Sequence, residues 1–358
     1  MGYNYNNNQG GGYAPPSPYG QQPYGQQGGN YGAPPQGYYQ QQQQPQVVYV
    51  QKPNQHSSGG GAGLGAGLCC GLLAGCCCEE CCEICLNTMD SQTLFSVKDK
   101  VVVVTGGGSG IGLMISQGFV KNGSRVYIVA RKQSVLEKAA QELTAQGTGT
   151  CIPLVCDLQD AAQIKQLTEK LAELEPRGID VLVNNSGANW GSESLESYPD
   201  KAWAKVLTLN TQRVFTLTQL LLPQLEKRAT KETPARVINI GSIDGVRVPN
   251  LITPAYSASK AAVHHLSKVL AAHLGPRNIT VNAVAPGPFE SHMMKATLDA
   301  QYEAIVSSVP LGRIGQPGDM AGICIFLASA AGSYINGTVI PVDGGIVIAN
   351  GKYSHANL

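Results

Sequence analysis

A chain of 358 residues with 25 basic and 24 acidic side chains, a formal net charge of +1, has no electrostatic footprint for nucleic acid. The length has room for two domains, but composition changes so sharply near residue 88 that one folded domain behind an appendage is expected. Eight of the eleven cysteines crowd between Cys69 and Cys85. Cys151, Cys156 and Cys324 are then too sparse for a disulfide framework, and with no visible signal peptide they point to a reducing, cytoplasmic setting.

Residues 1–58 are Gly, Tyr, Gln, Pro and Asn, with Lys52 the only Lys, Arg, Asp or Glu. Such a segment buries too little apolar surface to offset the entropy of ordering, so a disordered leader is expected. Residues 59–88 form a second piece. Positions 59–78 are free of charge and just reach the roughly 20 residues needed to cross a bilayer as a helix. Gly59, Gly63, Gly67, Gly71 and Gly75 would form a small-residue stripe, yet eight glycines in this stretch weaken both the helix and its preference for hydrocarbon.

Three readings of the cysteines stay open. Cys78-Glu79-Glu80-Cys81 and Cys82-Glu83-Ile84-Cys85 are C-x-x-C pairs, although adjacent cysteines and the lack of patterned histidines argue against zinc, and no metal site is expected. Cysteines beside a marginal apolar stretch are also candidates for acylation and membrane association through 59–85. The plain alternative is a reduced linker. The segment resembles the cysteine-rich transmembrane module of small eukaryotic stress-related proteins, except that here an enzyme-like domain follows. Met89 opens a stretch that reads as a natural start for that domain, 89–358.

Apolar β-branched runs at 101–105, 125–130, 151–155, 179–184, 235–240, 279–285 and 338–342 predict strands. Amphipathic stretches at 110–122, 133–146, 161–174, 203–228 and 256–274 predict helices between them. Strand and helix in alternation predict a Rossmann-type, doubly wound parallel sheet of about seven strands in a single α/β domain.

Ligands bind such sheets beyond the carboxyl ends of the strands, where the motifs fall. Thr105–Gly112 follows the first strand with spacing G-x-x-x-G-x-G: Gly106 for a tight turn, Gly110 for close approach to a pyrophosphate, Gly112 for close packing of the next helix. The second strand ends Ala130-Arg131, which leaves no acidic residue for ribose hydroxyls and offers a guanidinium to a 2′-phosphate; NADP(H) is expected over NAD. Asp157 ends the third strand, either accepting from an adenine amino group or capping the next helix. Asn184, Asn185 and Gly187 follow the fourth, where the amides tie strands together or meet the cofactor.

Ser242 ends the fifth strand, and Tyr256 and Lys260 follow four apart on one helix face. A phenol near pKa 10 is a poor acid at neutral pH, and lowering it by about 2–3 units takes about 3–4 kcal/mol. Lys260 and a positive nicotinamide are the groups expected to supply it.

With these residues in hand, 97–345 resembles a short-chain dehydrogenase/reductase. The resemblance implies a catalytic tetrad of Asn210, Ser242, Tyr256 and Lys260, in which Tyr256 protonates an alkoxide, Ser242 holds the carbonyl oxygen, Lys260 binds the nicotinamide ribose, and Asn210 positions a proton-relay water. It also implies cofactor contacts from Ser109, Ile111, Leu158, Pro286, Gly287, Phe289 and Ser291, and a homo-oligomer, dimer or tetramer. Leu94–Ile128 is similar to 3-oxoacyl-carrier-protein reductases of the rhamnolipid-biosynthesis type. A 3-oxoacyl thioester or other lipophilic ketone is therefore the expected substrate, with polyol or sugar oxidation second. The rival is a membrane-associated protein that binds a nucleotide without catalysis. Met293, Met294, Leu298 and Val309 give 288–310 the character of an apolar lid or of a helix packed on the core. His264 and His265, one turn or more past Lys260, read as helix-surface or subunit-contact positions.

Overall fold

The computed structural model describes residues 90–349; the expectations for 1–58 and 59–88 lie outside them. After a single-turn helix α1 (Ser91–Leu94), strands and helices alternate as β1 (Val101–Thr105), α2 (Gly110–Lys121), β2 (Arg125–Ala130), α3 (Gln133–Gln146), β3 (Thr150–Val155), α4 (Ala161–Leu174) and β4 (Val181–Asn184). The second half runs α5 (Lys201–Leu207), a π turn (Thr208–Gln212), α6 (Arg213–Glu226), β5 (Ala235–Ile240), α7 (Pro254–Leu274), β6 (Ile279–Pro286), α8 (Lys295–Ser308), α9 (Pro317–Ala328) and β7 (Val339–Val342). The seven strands form one sheet in the order β3-β2-β1-β4-β5-β6-β7, and every pairing is parallel.

Successive side chains on a strand point to opposite faces, so a sheet covered on both sides must be apolar at every position. Val102, Val104, Val126, Ile128, Val181 and Val183 face one layer, with Ile115 and Phe119 of α2, Leu136 of α3 and Met320 and Leu327 of α9. Val101, Val103, Tyr127, Val129 and Leu182 face the other, with Ile164 of α4, Leu217 and Leu221 of α6 and Leu270 of α7. The chain order reverses between β1 and β4, which opens the crevice where the motifs converge. Among the described residues no helix is long and apolar enough to cross a membrane.

Three differences from the sequence expectation have physical causes. The single amphipathic stretch 203–228 is α5 and α6 joined through the π turn. Helix α9 escaped notice because its sequence, PGDMAGICIFLA, is apolar almost all round and has no helical period to read. The lid region contains a helix, α8, with non-helical backbone at Gln301; Leu298 is its only buried side chain, so it does not pack on the core as an amphipathic helix would.

A buried polar chain crosses the sheet at its carboxyl end. The Asn184 amide donates to Asn239 Oδ1 at 2.9 Å and to Thr218 Oγ1 at 3.1 Å. Asn239 in turn donates to Ser267 Oγ at 2.9 Å, and the Thr218 and Ser267 hydroxyls donate to the carbonyls of Val214 and Val263. This links α6, β4, β5 and α7 without an unpaired member. Asn239→Ala, which takes one partner each from buried Asn184 and Ser267, is expected to lower the free energy of unfolding by about 2–4 kcal/mol, read by denaturant titration.

Candidate active site

The glycine loop is shaped by close contacts that leave no room for side chains. Gly106 has φ +67°, and a Cβ there would stand 2.8 Å from Asn185 Nδ2. Gly110 has φ +51°, with Ser291 Cβ 3.0 Å from the place its own Cβ would take. A Cβ on Gly112 would meet the Gly106 carbonyl oxygen at 2.2 Å and Asn185 Nδ2 at 2.5 Å. Gly112 thus lets α2 close onto the loop itself rather than onto the sheet. Ser109, the N-cap of α2, makes no side-chain capping bond, so the first amides of that helix remain for an anion. Thr105 braces the loop: its hydroxyl accepts from the amides of Asn185 and Ser186 at 2.9 Å each, and its carbonyl accepts from Asn185 Nδ2 at 2.8 Å. A dinucleotide's pyrophosphate fits this cradle, because the glycines keep it free of side chains and the first amides of α2 face it unpaired.

Other expected contacts divide. Arg131 is exposed at the end of β2 beside Ala130, and among the described residues it forms no ion pair. Asp157 does not cap α4; Asp160 does, accepting from Ala162 and Gln163, while Asp157 Oδ1 accepts from Gln159 N at 3.0 Å. Asn184 turns its amide into the polar chain described above, so its side chain serves the scaffold. Phe289 is turned inward against Gly315, where a Cβ would meet its ring at 2.2 Å, and Leu158 enters the second core layer. Neither of those two side chains faces the crevice. Pro286 ends β6 opposite Val342, and the Gly287 amide extends the pairing to the Val342 carbonyl at 2.9 Å. The Ile111 side chain packs against the first core layer.

The four expected catalytic residues converge at the ends of β4 and β5. Ser242 lies just past β5, and its Oγ accepts from the Asp244 amide at 3.1 Å. Tyr256 and Lys260 stand one turn apart on α7, the ammonium 5.6 Å from the phenol ring centre. Lys260 is buried and donates to the Ile240 carbonyl at 2.8 Å. Asn210, at the middle of the π turn, brackets the backbone of Ala188: Oδ1 accepts from its amide at 2.8 Å and Nδ2 donates to its carbonyl at 2.9 Å, with a further bond to Ser259 Oγ. A Cβ on Gly187 would lie 3.3 Å from Asn210 Oδ1 and 3.6 Å from Lys260 Nζ, so the missing side chain leaves the crevice floor open beside the lysine.

Burial governs the ionisations here. It pushes the Tyr256 phenol up to about 12, against a downward pull from Ser242 and with a further push from the Asp244 carboxylate. Burial also drives the Lys260 ammonium down to about 8. The lowering expected from Lys260 and the nicotinamide together belongs to the cofactor-bound site; in the protein by itself desolvation of the phenolate sets the direction. One neighbour escaped the sequence reading and another was read otherwise. Asp244 lies two residues past Ser242, with burial raising its carboxyl and Arg247 lowering it. His264, expected at the helix surface or a subunit contact, is buried beneath the Ser242 turn, whereas His265 is exposed. The four-residue steps from Tyr256 to Lys260 to His264 were the available signal.

A family model described as enoyl-(acyl carrier protein) reductase matches residues 106–347. The rhamnolipids biosynthesis 3-oxoacyl-(acyl-carrier-protein) reductase of Pseudomonas aeruginosa is 46% identical over 253 residues, spanning 70% of this chain and 97% of that protein. Galactitol 2-dehydrogenase (L-tagatose-forming) of Cereibacter sphaeroides is 32% identical over 263 residues, 73% of this chain and 100% of its own. Among solved structures, the Pseudomonas aeruginosa RhlG/NADP active-site complex superposes with a TM-score of 0.68 at 44% identity, covering 71% and 99% of the two chains.

Gly112→Ala is expected to weaken dinucleotide binding at least about 100-fold by fluorescence titration. The control Gly322→Ala, where a Cβ meets nothing within 4 Å, leaves binding unchanged. Lys260→Met is expected to stabilise the fold by about 1–3 kcal/mol at pH 7. The sign follows from an ammonium pKa lowered from 10.5 to about 8. Below pH 8 both folded and unfolded lysines are charged and the folded one bears the full desolvation cost; the cost fades as pH rises to 10.5, so the variant's advantage disappears there.

Proposed function

This chain belongs to the short-chain dehydrogenase/reductase family, and we propose that it is an NADP(H)-dependent reductase of a lipophilic ketone, with a 3-oxoacyl thioester as the preferred class. The observation that carries the reading is the buried Lys260, bonded to the Ile240 carbonyl on the helix that bears Tyr256, opposite Ser242 and beside the glycine cradle. Residues 106, 110, 112 and 187 leave room for the dinucleotide, Arg131 answers its 2′-phosphate, and Asp157 its adenine. When bound, the reduced nicotinamide supplies the hydride that the carbonyl carbon accepts.

The chain's own groups manage the oxygen. Ser242 Oγ accepts from the Asp244 amide, which directs the hydroxyl's own proton outward to donate to the substrate carbonyl. Tyr256 donates its proton to the oxygen as negative charge builds there. A phenol held near 12 is firmly protonated at neutral pH, as an acid must be before it acts. Lys260, at about 8, is mostly charged at pH 7 and stabilises the phenolate left behind. Asn210 fixes Gly187–Ala188, and its Oδ1 retains a lone pair for a water passing protons toward Lys260.

Exposed Val246, Val248 and Leu251 follow the Ser242 turn directly, and exposed Met293 precedes α8; these suit an alkyl chain. The 46% identity to a 3-oxoacyl reductase supports the same choice. Polyol or sugar oxidation is the second reading, favoured by the galactitol dehydrogenase relative. A nucleotide-binding protein without catalysis is disfavoured by the intact Ser, Tyr and Lys. Exposed Phe215 and Leu220 on α6 and Val269 on α7 offer an apolar face for a homo-oligomer. Among the described residues the three cysteines are free and buried, which accords with a reducing, cytoplasmic compartment.

The deciding assay follows NADPH and NADH consumption with 3-oxoacyl thioesters, diketones and polyols. Wild-type protein is expected to oxidise NADPH with a 3-oxoacyl thioester, Tyr256→Phe to lose about 10²–10⁴-fold in kcat, and Arg131→Ala to lose at least about tenfold of its preference for NADPH. Turnover of polyols alone, or turnover that survives Tyr256→Phe, overturns the assignment.

A further inference from the structure

The peptide that carries Ser242 is held from below by a group outside the expected tetrad. β5 stops at Ile240, and the last ladder bond beyond it runs from the Gly241 amide to the Val284 carbonyl at 2.7 Å. The next amide, that of Ser242, has no strand to pair with, yet the residue is buried. A buried amide needs an acceptor. The one it has is His264 Nε2, at 3.5 Å.

The ring fills the space that two glycines leave. A Cβ on Gly241 would stand 2.1 Å from His264 Nε2, and one on Gly245 would stand 2.9 Å from Cε1. The ring therefore packs against both ends of the span 241–245, and within that span Ser242 Oγ is tied to the Asp244 amide. Burial, and then the charge of Lys260, lower the imidazole to about 4, which leaves the ring neutral and Nε2 free to accept. Tyr256, Lys260 and His264 thus share one face of α7 at four-residue steps.

We propose that His264 is a positioning residue for the reduction: its imidazole pins the Gly241–Gly245 turn and so sets where the Ser242 hydroxyl meets the substrate carbonyl. This rests on the reductase reading above. Past the strand end the ladder no longer fixes Ser242, and a displacement of about 1 Å at a reacting group costs on the order of 10²-fold in rate.

A double-mutant cycle separates positioning from general support of the fold. The proteins are wild type, His264→Leu, Ser242→Ala and the pair, each measured for kcat, KM and NADPH dissociation constant. His264→Leu is expected to lower kcat about 10–100-fold and leave NADPH binding within about twofold. In the Ser242→Ala background it is expected to cost less than about threefold, because the hydroxyl it positions is already gone. His264→Gln, which keeps an acceptor near the Nε2 position, recovers most of the lost kcat. Equal losses in both backgrounds, a parallel loss of NADPH affinity, or a folded His264→Leu enzyme at wild-type kcat each overturn the proposal. If His264→Leu does not fold, His264→Asn takes its place under the same criteria. Amide exchange supplies an arm that needs no substrate: amides 242–245 are expected to exchange at least about tenfold faster in the variant while those of β5 hold. Unchanged exchange overturns the pinning. Wild-type protein that turns over no carbonyl defeats the reductase reading instead, and leaves the exchange result to judge His264.

Discussion

The bond from the Lys260 ammonium to the Ile240 carbonyl is the interaction on which the site depends. An ammonium taken out of water is unfavourable unless it finds acceptors, and the end of a parallel strand is where a buried sheet has carbonyls left over. That one contact fixes α7 against β5 at the height where Ser242 leaves the strand. Tyr256 is then placed one turn earlier and His264 one turn later. The cost of burying the charge is borne by the two apolar layers, whose strands are buried on both faces.

The polar chain through Asn184, Asn239 and Ser267 complements that contact. It fixes β4, β5, α6 and α7 relative to one another in a region where apolar packing alone would allow them to slide. Apolar contacts tolerate small shifts, whereas a closed series of donors and acceptors does not. The same logic recurs at Thr105, whose single hydroxyl gathers two amides from the segment after β4 and so sets the loop and the Asn185 turn in register.

Much of this was legible because it lies in local pattern. Runs such as Val101–Val104 and Val181–Val183 declare doubly covered strands, and the spacing of Gly106, Gly110 and Gly112 declares a turn into a helix. What was not legible depends on which way a side chain turns. Phe289 and Leu158 sit inside recognisable motifs, yet both point into the core, and Asn184 serves its neighbours on the sheet. His264 has the composition of a surface position, and only the two glycines of a segment twenty residues earlier create its pocket. Ionisation was likewise out of reach: the phenol rises because its surroundings exclude water, a property of the assembled site and not of the Tyr-Lys spacing.

The π turn at Thr208–Gln212 has a consequence for phase. An ideal α-helix advances about 100° per residue, so between Ala202 and Leu225 the buried stripe would drift by about 140°, enough to turn one end toward solvent. A π turn acts as one residue inserted into the winding, and it cuts the accumulated drift to about 40°. Ala202, Val206, Asn210, Val214, Leu221 and Leu225 are consequently all buried along a single line. The inserted residue works as a vernier: it lets a long helical segment keep one line of side chains facing the sheet, and Asn210 stands at the position where the correction is made.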